Sequence, residues 1–457
     1  MRYRSILALL LLIALPGFGV ASESPEPHRE LAELAETFSR QFLDGQHEQN
    51  LELMTDQMRA ASGPEPSEKI RKSLGAQHGA LSEIGSAYFQ DQAQAYLRFR
   101  VPIHFEHQSI DFMVIFDLQD KLAGFFLMPY SGPPRPGEPA PGEEIEVRIG
   151  EGDRALPGTI ALPEGPGPFP AVVLIHGSGA LDRDETIGPN KPFRDLAWGL
   201  AEQGIASLRY DKRSYARPET LLVLGAALTV REAVIDDARL ALALLRERDE
   251  IDGSRVFLVG HSLGGTLLPR IAAVDPAPAG MISLAGATLP LPEKHYTQSV
   301  YIVSLDGSVS PEEQQQVDFI HGEVRSIRAA LDGKGPAPAG KPLGYPIGFY
   351  RDLEQHDPPA EAAELGLPIL VLQGKRDYQV TMQDFELWQR ALAGKPFACT
   401  VVYDELDHLF RAGSGPSRPE DYFEHQAPVA SQLIDDMANW IKQGKCPDYR
   451  SGKGRQS

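Results

Sequence analysis

Cysteine is scarce in this chain: Cys399 and Cys446 are the only two among 457 residues. Two thiols cannot build a disulfide scaffold or a cysteine-based zinc site. They allow one bridge, which export to an oxidising compartment would favour and which would tie the C-terminal tail to the last strand. Positive charge is also in short supply. Against 63 Asp and Glu stand 44 Lys and Arg, leaving a formal net charge of −19. A nucleic-acid partner is thereby disfavoured, because a polyanion is repelled by such a surface. Internal repeats are missing, and no stretch beyond the first 21 residues is apolar enough to cross a bilayer.

The first apolar run is itself short. Met1 to Ala21 opens with Arg2 and Arg4, runs apolar through Leu15 and reaches small residues at Gly19 and Ala21. A basic start, an apolar middle and an A-x-A-like end predict a cleaved export signal, and hence a periplasmic or secreted protein. The run falls below the roughly 20 residues that span a membrane, which argues against an anchor. No cysteine sits near the cleavage point, so no lipoprotein anchor is expected.

Three further segments follow. Over residues 28–130, Leu31, Leu34, Ala35, Phe38, Phe42 and Leu43 recur at helical spacing, and Leu51, Met54 and Met58 continue the pattern until Pro64 and Pro66 break it. Leu97 to Phe105 and Ile110 to Phe116 then alternate apolar with polar residues, and Leu122 to Leu127 adds another strand. The change of period predicts a small α+β domain, an antiparallel sheet covered on one face by helices. Ser131 to Gly142, rich in proline, reads as a semi-rigid linker. From 143 to 457 the pattern changes again. Continuous apolar strands at Ala171–Ile175, Ile205–Leu208, Val256–Val259, Met281–Leu284, Ile369–Leu372 and Thr400–Tyr403 alternate with amphipathic helices. Strands apolar on both faces predict an α/β domain with a mostly parallel sheet between helical layers. An insertion over about 287–365 carries a helical stripe, Val317, Ile320, Val324, Ile327 and Leu331, and is expected to form a helical cap over the carboxyl edge of the sheet.

The chemistry concentrates around Gly260-His261-Ser262-Leu263-Gly264, directly after the strand Val256–Val259 and before an apolar helix. A strand that stops at Gly-x-Ser-x-Gly and re-enters as a helix makes a sharp turn with the serine exposed at its apex. A serine hydroxyl needs a base, usually histidine, oriented in turn by a carboxylate. Asp377 follows the strand Ile369–Leu372 and His408 follows the strand Thr400–Tyr403, in the order Ser, Asp, His and at the carboxyl ends where parallel sheets collect functional groups. Asp377 could instead cap the helix that starts near Met382. Asp404 and Asp407 are rival carboxylates, but both lie too near His408 in sequence to reach its far ring nitrogen easily. His261 is expected to be structural, because the turn points it away from Ser262. His176-Gly177-Ser178-Gly179 follows the strand Ala171–Ile175 and is the candidate oxyanion loop. The backbone N–H of Leu263 would supply one donor and that of Ser178 the other, or Gly177 if the loop turns differently. His176 is expected to fix this loop. Asp182-Arg183-Asp184 and Arg209-Tyr210-Asp211-Lys212-Arg213 are expected to pair with one another at the rim, with binding of a substrate carboxylate as the alternative.

Over about Glu143 to Lys442 these motifs, with Leu156-Pro157-Gly158-Thr159, Asp211-Lys212-Arg213, Asp377-Tyr378-Gln379-Val380 and His408-Leu409-Phe410, resemble the α/β-hydrolase superfamily. The resemblance is to exported esterase-like members related to dienelactone hydrolases and to prolyl oligopeptidase catalytic domains. The N-terminal unit is similar to a small domain of unknown function often fused ahead of them. The resemblance implies the α/β-hydrolase fold, Ser262, Asp377 and His408 as triad and carboxylic ester hydrolysis as the usual activity; a carboxylesterase of this kind is expected to need no metal or organic cofactor. Ser214 and Asp407 depart from the glycine and asparagine that relatives often carry, the second placing a negative charge beside His408.

The leading reading is therefore a carboxylesterase acting on a small-molecule ester through an acyl-serine. Tyr296, Tyr301, Tyr345, Phe349 and Tyr350 of the insertion would line an apolar acyl pocket or pack the core. A serine peptidase is disfavoured, because an N-terminal unit of roughly a hundred residues is too small for a shielding propeller. Acyl transfer to another nucleophile shares the same intermediate. A non-enzymatic binding protein would lack a triad or oxyanion residue, and none is missing.

Overall fold

The computed structural model describes residues 28–61, 64–93, 96–106, 109–129, 140–274, 276–424 and 426–447. The expected export signal at 1–21 and residues 131–139 of the expected linker lie outside them.

In the N-terminal unit, helices Arg29–Leu43, His47–Leu51, Asp56–Ala61 and Pro64–His78 precede an antiparallel sheet of β1 (Leu81–Ile84), β2 (Tyr88–Ala93), β3 (Tyr96–Phe105), β4 (Ser109–Asp117) and β5 (Leu122–Pro129). The alternation along β3 is realised as burial: Leu97, Phe99, Val101, Ile103 and Phe105 all face the core. Phe38 and Phe42 of the first helix close that face, with ring centroids 5.2 Å from Phe125 and 5.7 Å from Phe112. The expectation that Pro64 and Pro66 only break a helix is corrected: they open one, Pro64–His78. In a first helical turn the missing proline N–H has no intrahelical partner to lose.

The second unit is built on eight strands: β6 (Glu143–Ile149), β7 (Leu156–Leu162), β8 (Phe169–Ile175), β9 (Ala206–Tyr210), β10 (Ile251–His261), β11 (Met281–Leu284), β12 (Ile369–Gly374) and β13 (Ala398–Tyr403). Their spatial order is β13-β12-β11-β10-β8-β9-β7-β6. Strands β8 to β13 run parallel, β7 is antiparallel to β9, and β6 is antiparallel to β7. Alternate residues of the central strands feed two cores. Val172, Leu174, Val259, Leu370 and Leu372 meet Phe193, Leu196, Leu433 and Met437 on one face. Val173, Ile175, Leu258 and Val371 meet Ala238, Leu242, Leu267 and Leu268 on the other. Burial on both sides is what made these strands read as unbroken apolar runs.

The connection from β9 to β10 passes over β8, so the chain order reverses between β8 and β10. Such a reversal opens a crevice at the carboxyl ends of the two strands. Gly260 pairs with Ile175 in this register, which brings the segments after both residues side by side. The insertion between β11 and β12 forms helices Leu291–Val303, Pro311–Leu331, Ile347–Glu354 and Pro358–Leu365. Val317, Ile320, Val324 and Ile327 of its long helix are buried, so the stripe serves packing. The insertion reaches the carboxyl edge, where Tyr301 stacks on Tyr378 after β12 and the Tyr345 hydroxyl faces Ser178 after β8. Cys399 on β13 is bridged to Cys446, beyond the helix Ser431–Gln443.

Candidate active site

Ser262 stands at the end of β10 with φ +52° and ψ −117°, a conformation costly for a residue with a side chain. Close packing enforces it. A Cβ at Gly260 would lie 2.4 Å from the Gly264 backbone, and one at Gly264 would lie 2.1 Å from the Ile175 carbonyl oxygen. Only glycine fits either position, so the chain turns abruptly and lifts Ser262 above the sheet. The Ser262 N–H donates to the Leu284 carbonyl at 2.8 Å, and its carbonyl accepts from the Thr266 N–H, which starts the helix Leu263–Ala272. The serine is half-buried, while its neighbours are closed off.

Asp377 and His408 come together from two loops. Asp377 Oδ2 lies 2.7 Å from His408 Nδ1, with both side chains buried. The carboxylate is fixed from every side: Oδ1 accepts the Gln379 and Val380 N–H groups at 2.8 and 2.9 Å, and Gln373 Nε2 donates to Oδ2 at 3.2 Å. It does not cap the helix after it; Thr381 and Asp384 form a capping box there. The rival carboxylates are engaged elsewhere. Asp404 pairs with Lys375 at 2.6 Å, and Asp407 with Arg411 at 2.8 Å. The charge of Asp407, a departure noted in the sequence, is thus countered by a guanidinium on its own loop. Among the described hydrogen bonds none joins Ser262 Oγ to His408, so the carboxylate–imidazole half of the expected relay is hydrogen-bonded and the hydroxyl half is not.

The loop after β8 lies against the serine: a Cβ on Gly177 would be 3.1 Å from Ser262 Cβ. Its donors are not equivalent. The Gly177 N–H donates to Glu185 Oε1 at 2.7 Å and is occupied, which leaves Ser178 and Leu263 as the candidate oxyanion donors. The loop is braced by three further contacts. Lys212 Nζ donates to the Gly177 carbonyl, Ser214 Oγ donates to the Gly179 carbonyl at 3.0 Å, and His176 Nε2 meets the Asp182 carbonyl at 2.8 Å. Ser214, the other departure, is therefore a tether for this loop. Burial pushes the His176 imidazole down to about 4, so it is neutral and donates to that carbonyl. The charged runs interlock around the rim as Arg183 with Asp211 at 3.1 Å and Arg209 with Asp184 at 2.9 Å.

Of the insertion aromatics, Phe349 and Tyr350 are core residues, Tyr350 donating to the Pro342 carbonyl. Tyr296 stacks on His321. Tyr301 and Tyr345 alone of the five are seen against loops that carry candidate site residues. Sequence reasoning missed Glu185 and Gln373. The first lies one residue beyond the Asp182–Asp184 run, and the second ends an apolar strand where a polar side chain was a usable signal. Among the described residues no group of acidic, histidine or cysteine side chains could hold a metal ion.

A serine at a strand–turn–helix apex, a buried Asp–His pair and a braced loop beside them define a hydrolase-type site on a doubly wound sheet. Residues 172–425 match the model of the alpha/beta hydrolase family, and the chain belongs to that family. Residues 35–125 match a family described as a protein of unknown function (DUF3887). The chain is 36% identical to Esterase EstD of Thermotoga maritima over 398 residues, 86% of this chain and 91% of that protein. Among solved structures it is similar to the 2,6-dihydroxy-pseudo-oxynicotine hydrolase, with 20% identity, a TM-score of 0.39 and coverage of 66% of this chain and 67% of that one. An esterase of Pyrococcus furiosus gives 16% identity, a TM-score of 0.40 and coverage of 69% and 95%.

The His176 shift has a measurable sign. Its folded pKa lies below its unfolded value, so the unfolded chain binds the extra proton as pH falls. The stabilisation is complete above roughly pH 6.5 and is lost on the way down to about 4. Replacing His176→Gln keeps an amide donor and removes the titration. Urea melts should show wild type losing up to about 3 kcal/mol relative to the variant across that window. Parallel curves would contradict the assignment.

Proposed function

We propose that this protein is a serine hydrolase that cleaves carboxylic esters through an acyl-Ser262 intermediate. The observation that carries the reading is the buried 2.7 Å contact of Asp377 with His408 beside a serine held at φ +52°. The name of the Thermotoga maritima relative, an esterase, supports the substrate class.

In this mechanism Ser262 Oγ adds to the ester carbonyl as His408 Nε2 takes its proton. Asp377, held by two backbone N–H groups and Gln373, fixes the imidazole with Nδ1–H toward the carboxylate and stabilises the imidazolium as it forms. The negative charge that develops on the carbonyl oxygen is met by the Leu263 and Ser178 N–H groups, already oriented by the helix start and the braced loop. His408 returns its proton to the departing alkoxide, and the alcohol leaves. Water then enters, loses a proton to His408 and releases the acid by the reverse sequence, restoring Ser262. The partner required is a small acyl ester. No metal is needed, because the base and the backbone dipoles supply proton transfer and charge stabilisation.

We also propose that the protein acts outside the cytoplasm, in the periplasm or beyond the cell. Met1–Ala21 has the pattern of a cleaved signal, and a Cys399–Cys446 bridge suits an oxidising compartment.

Two measurements test these readings. With a short-chain nitrophenyl ester, Ser262→Ala should lower kcat on the order of 10⁴–10⁶-fold and Asp377→Asn about 10⁴-fold, with both variants folded; a wild-type rate from Ser262→Ala would end the serine mechanism. Intact-mass analysis of exported protein should give a chain that begins close to residue 22 and lacks two hydrogens through its bridge. Retention of residues 1–21, or two free thiols, would remove the corresponding proposal.

A further inference from the structure

One carboxylate behind the site touches more of it than the proposed chemistry uses. Glu185 is fully buried and holds a left-handed backbone, φ +53°. Its Oε1 accepts the Gly177 N–H at 2.7 Å, and its Oε2 lies 2.9 Å from His261 Nδ1. The other nitrogen of that ring, His261 Nε2, lies 2.9 Å from the carbonyl oxygen of His408. The His261 and His408 rings are 4.7 Å apart, and His261 directly precedes Ser262. A short chain of contacts thus joins the loop after β8, the serine turn and the loop that carries His408.

We propose that Glu185, acting through His261, is a positioning residue: it holds the oxyanion loop and the His408 loop in register with Ser262 and, by occupying the Gly177 N–H, assigns the oxyanion to Ser178 and Leu263. This rests on the proposed serine mechanism. The reach of the side chain is the essential property. Glu185 must span from Gly177 to His261 at once, and either contact alone would leave one loop unregistered. The surrounding charges agree. Burial alone would raise the Glu185 carboxyl, yet His261, His176 and the Gly177 N–H more than offset it and hold it below the ordinary range. Burial alone would lower His261, yet Glu185 and the His408 carbonyl raise it. Each ring nitrogen of His261 thus faces an oxygen, Nδ1 the Glu185 carboxylate as an ion-pair contact and Nε2 the His408 carbonyl as a hydrogen bond. The other groups that face the pair are Lys212, whose ammonium is pushed down to about 8 by burial, and Asp377. Lys212 supplies the competing account, in which Glu185 merely balances a buried cation.

Reach and charge are separated by two conservative variants. Glu185→Gln keeps the length: its amide oxygen can accept from Gly177 while its N–H meets a neutral His261. Glu185→Asp keeps the charge and loses one methylene. With a short-chain ester, kcat should stay within about threefold of wild type for Gln and fall about 10–100-fold for Asp, KM holding within about twofold in both. A trifluoromethyl ketone that forms a tetrahedral adduct on Ser262 should lose affinity in parallel with kcat for Asp. Asp at the wild-type rate, Asp better than Gln, or a change confined to KM would overturn the proposal. If Glu185→Asp does not fold, His261→Asn replaces it: a donor remains for Glu185, the reach to the His408 carbonyl is lost, and kcat should fall about tenfold at constant KM. An unchanged kcat there is equally fatal. Ser262→Ala measured alongside distinguishes the two levels. Its retained activity would remove the serine mechanism itself, whereas its inactivity beside a wild-type Glu185→Asp would remove only the positioning role.

Discussion

Everything in the site is arranged around a turn that most residues cannot make. The backbone at Ser262 is held at positive φ because Gly260 and Gly264 let it pass within contact distance of β8, whose Ile175 carbonyl would overlap any side chain at Gly264. That constraint is set by the sheet, in which β8 and β10 are neighbours although β9 separates them in sequence. The same adjacency delivers the loop after β8 to the serine, so the candidate nucleophile and the candidate oxyanion donors are positioned by one feature of topology. Local strain of this kind persists only where surrounding packing over-determines it. Here the helix Leu263–Ala272 and both faces of the sheet do so.

The electrostatics follow a similar economy. The buried carboxylates near the serine each have a separate partner: Asp377 with His408, Asp407 with Arg411, Glu185 with His261. A buried charge is tolerated only when it is paired, and the Asp377–His408 and Glu185–His261 pairs also tie one loop to another. Rigidity of the site is therefore coupled to its neutralisation. The cap adds aromatic surface at Tyr301 and Tyr345, and the charged pairs stay on the loops of the sheet.

Much of this could be read from the chain. The strands β8, β10, β12 and β13 are apolar runs, so their ends were legible from pattern, and the order Ser, Asp, His then singled out Ser262, Asp377 and His408 as candidates. The departures have physical causes. Pro64 and Pro66 look like breakers but occupy a first helical turn, where proline loses nothing. β1 and β2 escaped notice because Leu81–Ile84 and Tyr88–Ala93 lack a sustained apolar face. Phe349 and Tyr350 were indistinguishable from pocket residues, since burial in a core and burial against a ligand select the same side chains. Glu185 was invisible for another reason: its partners, Gly177 and His261, are fixed by tertiary contact, and no spacing in the sequence announces that they meet.

The central claim is that Ser262 is made nucleophilic by a histidine brought to it from another loop. Tandem mass spectrometry of the folded protein after treatment with a fluorophosphonate probe tests this most directly, with His408→Ala as the companion sample. A phosphonyl adduct on Ser262 in the wild type, slowed by orders of magnitude in the variant, is the predicted result. Absence of an adduct on Ser262, or equal labelling without His408, would contradict the account.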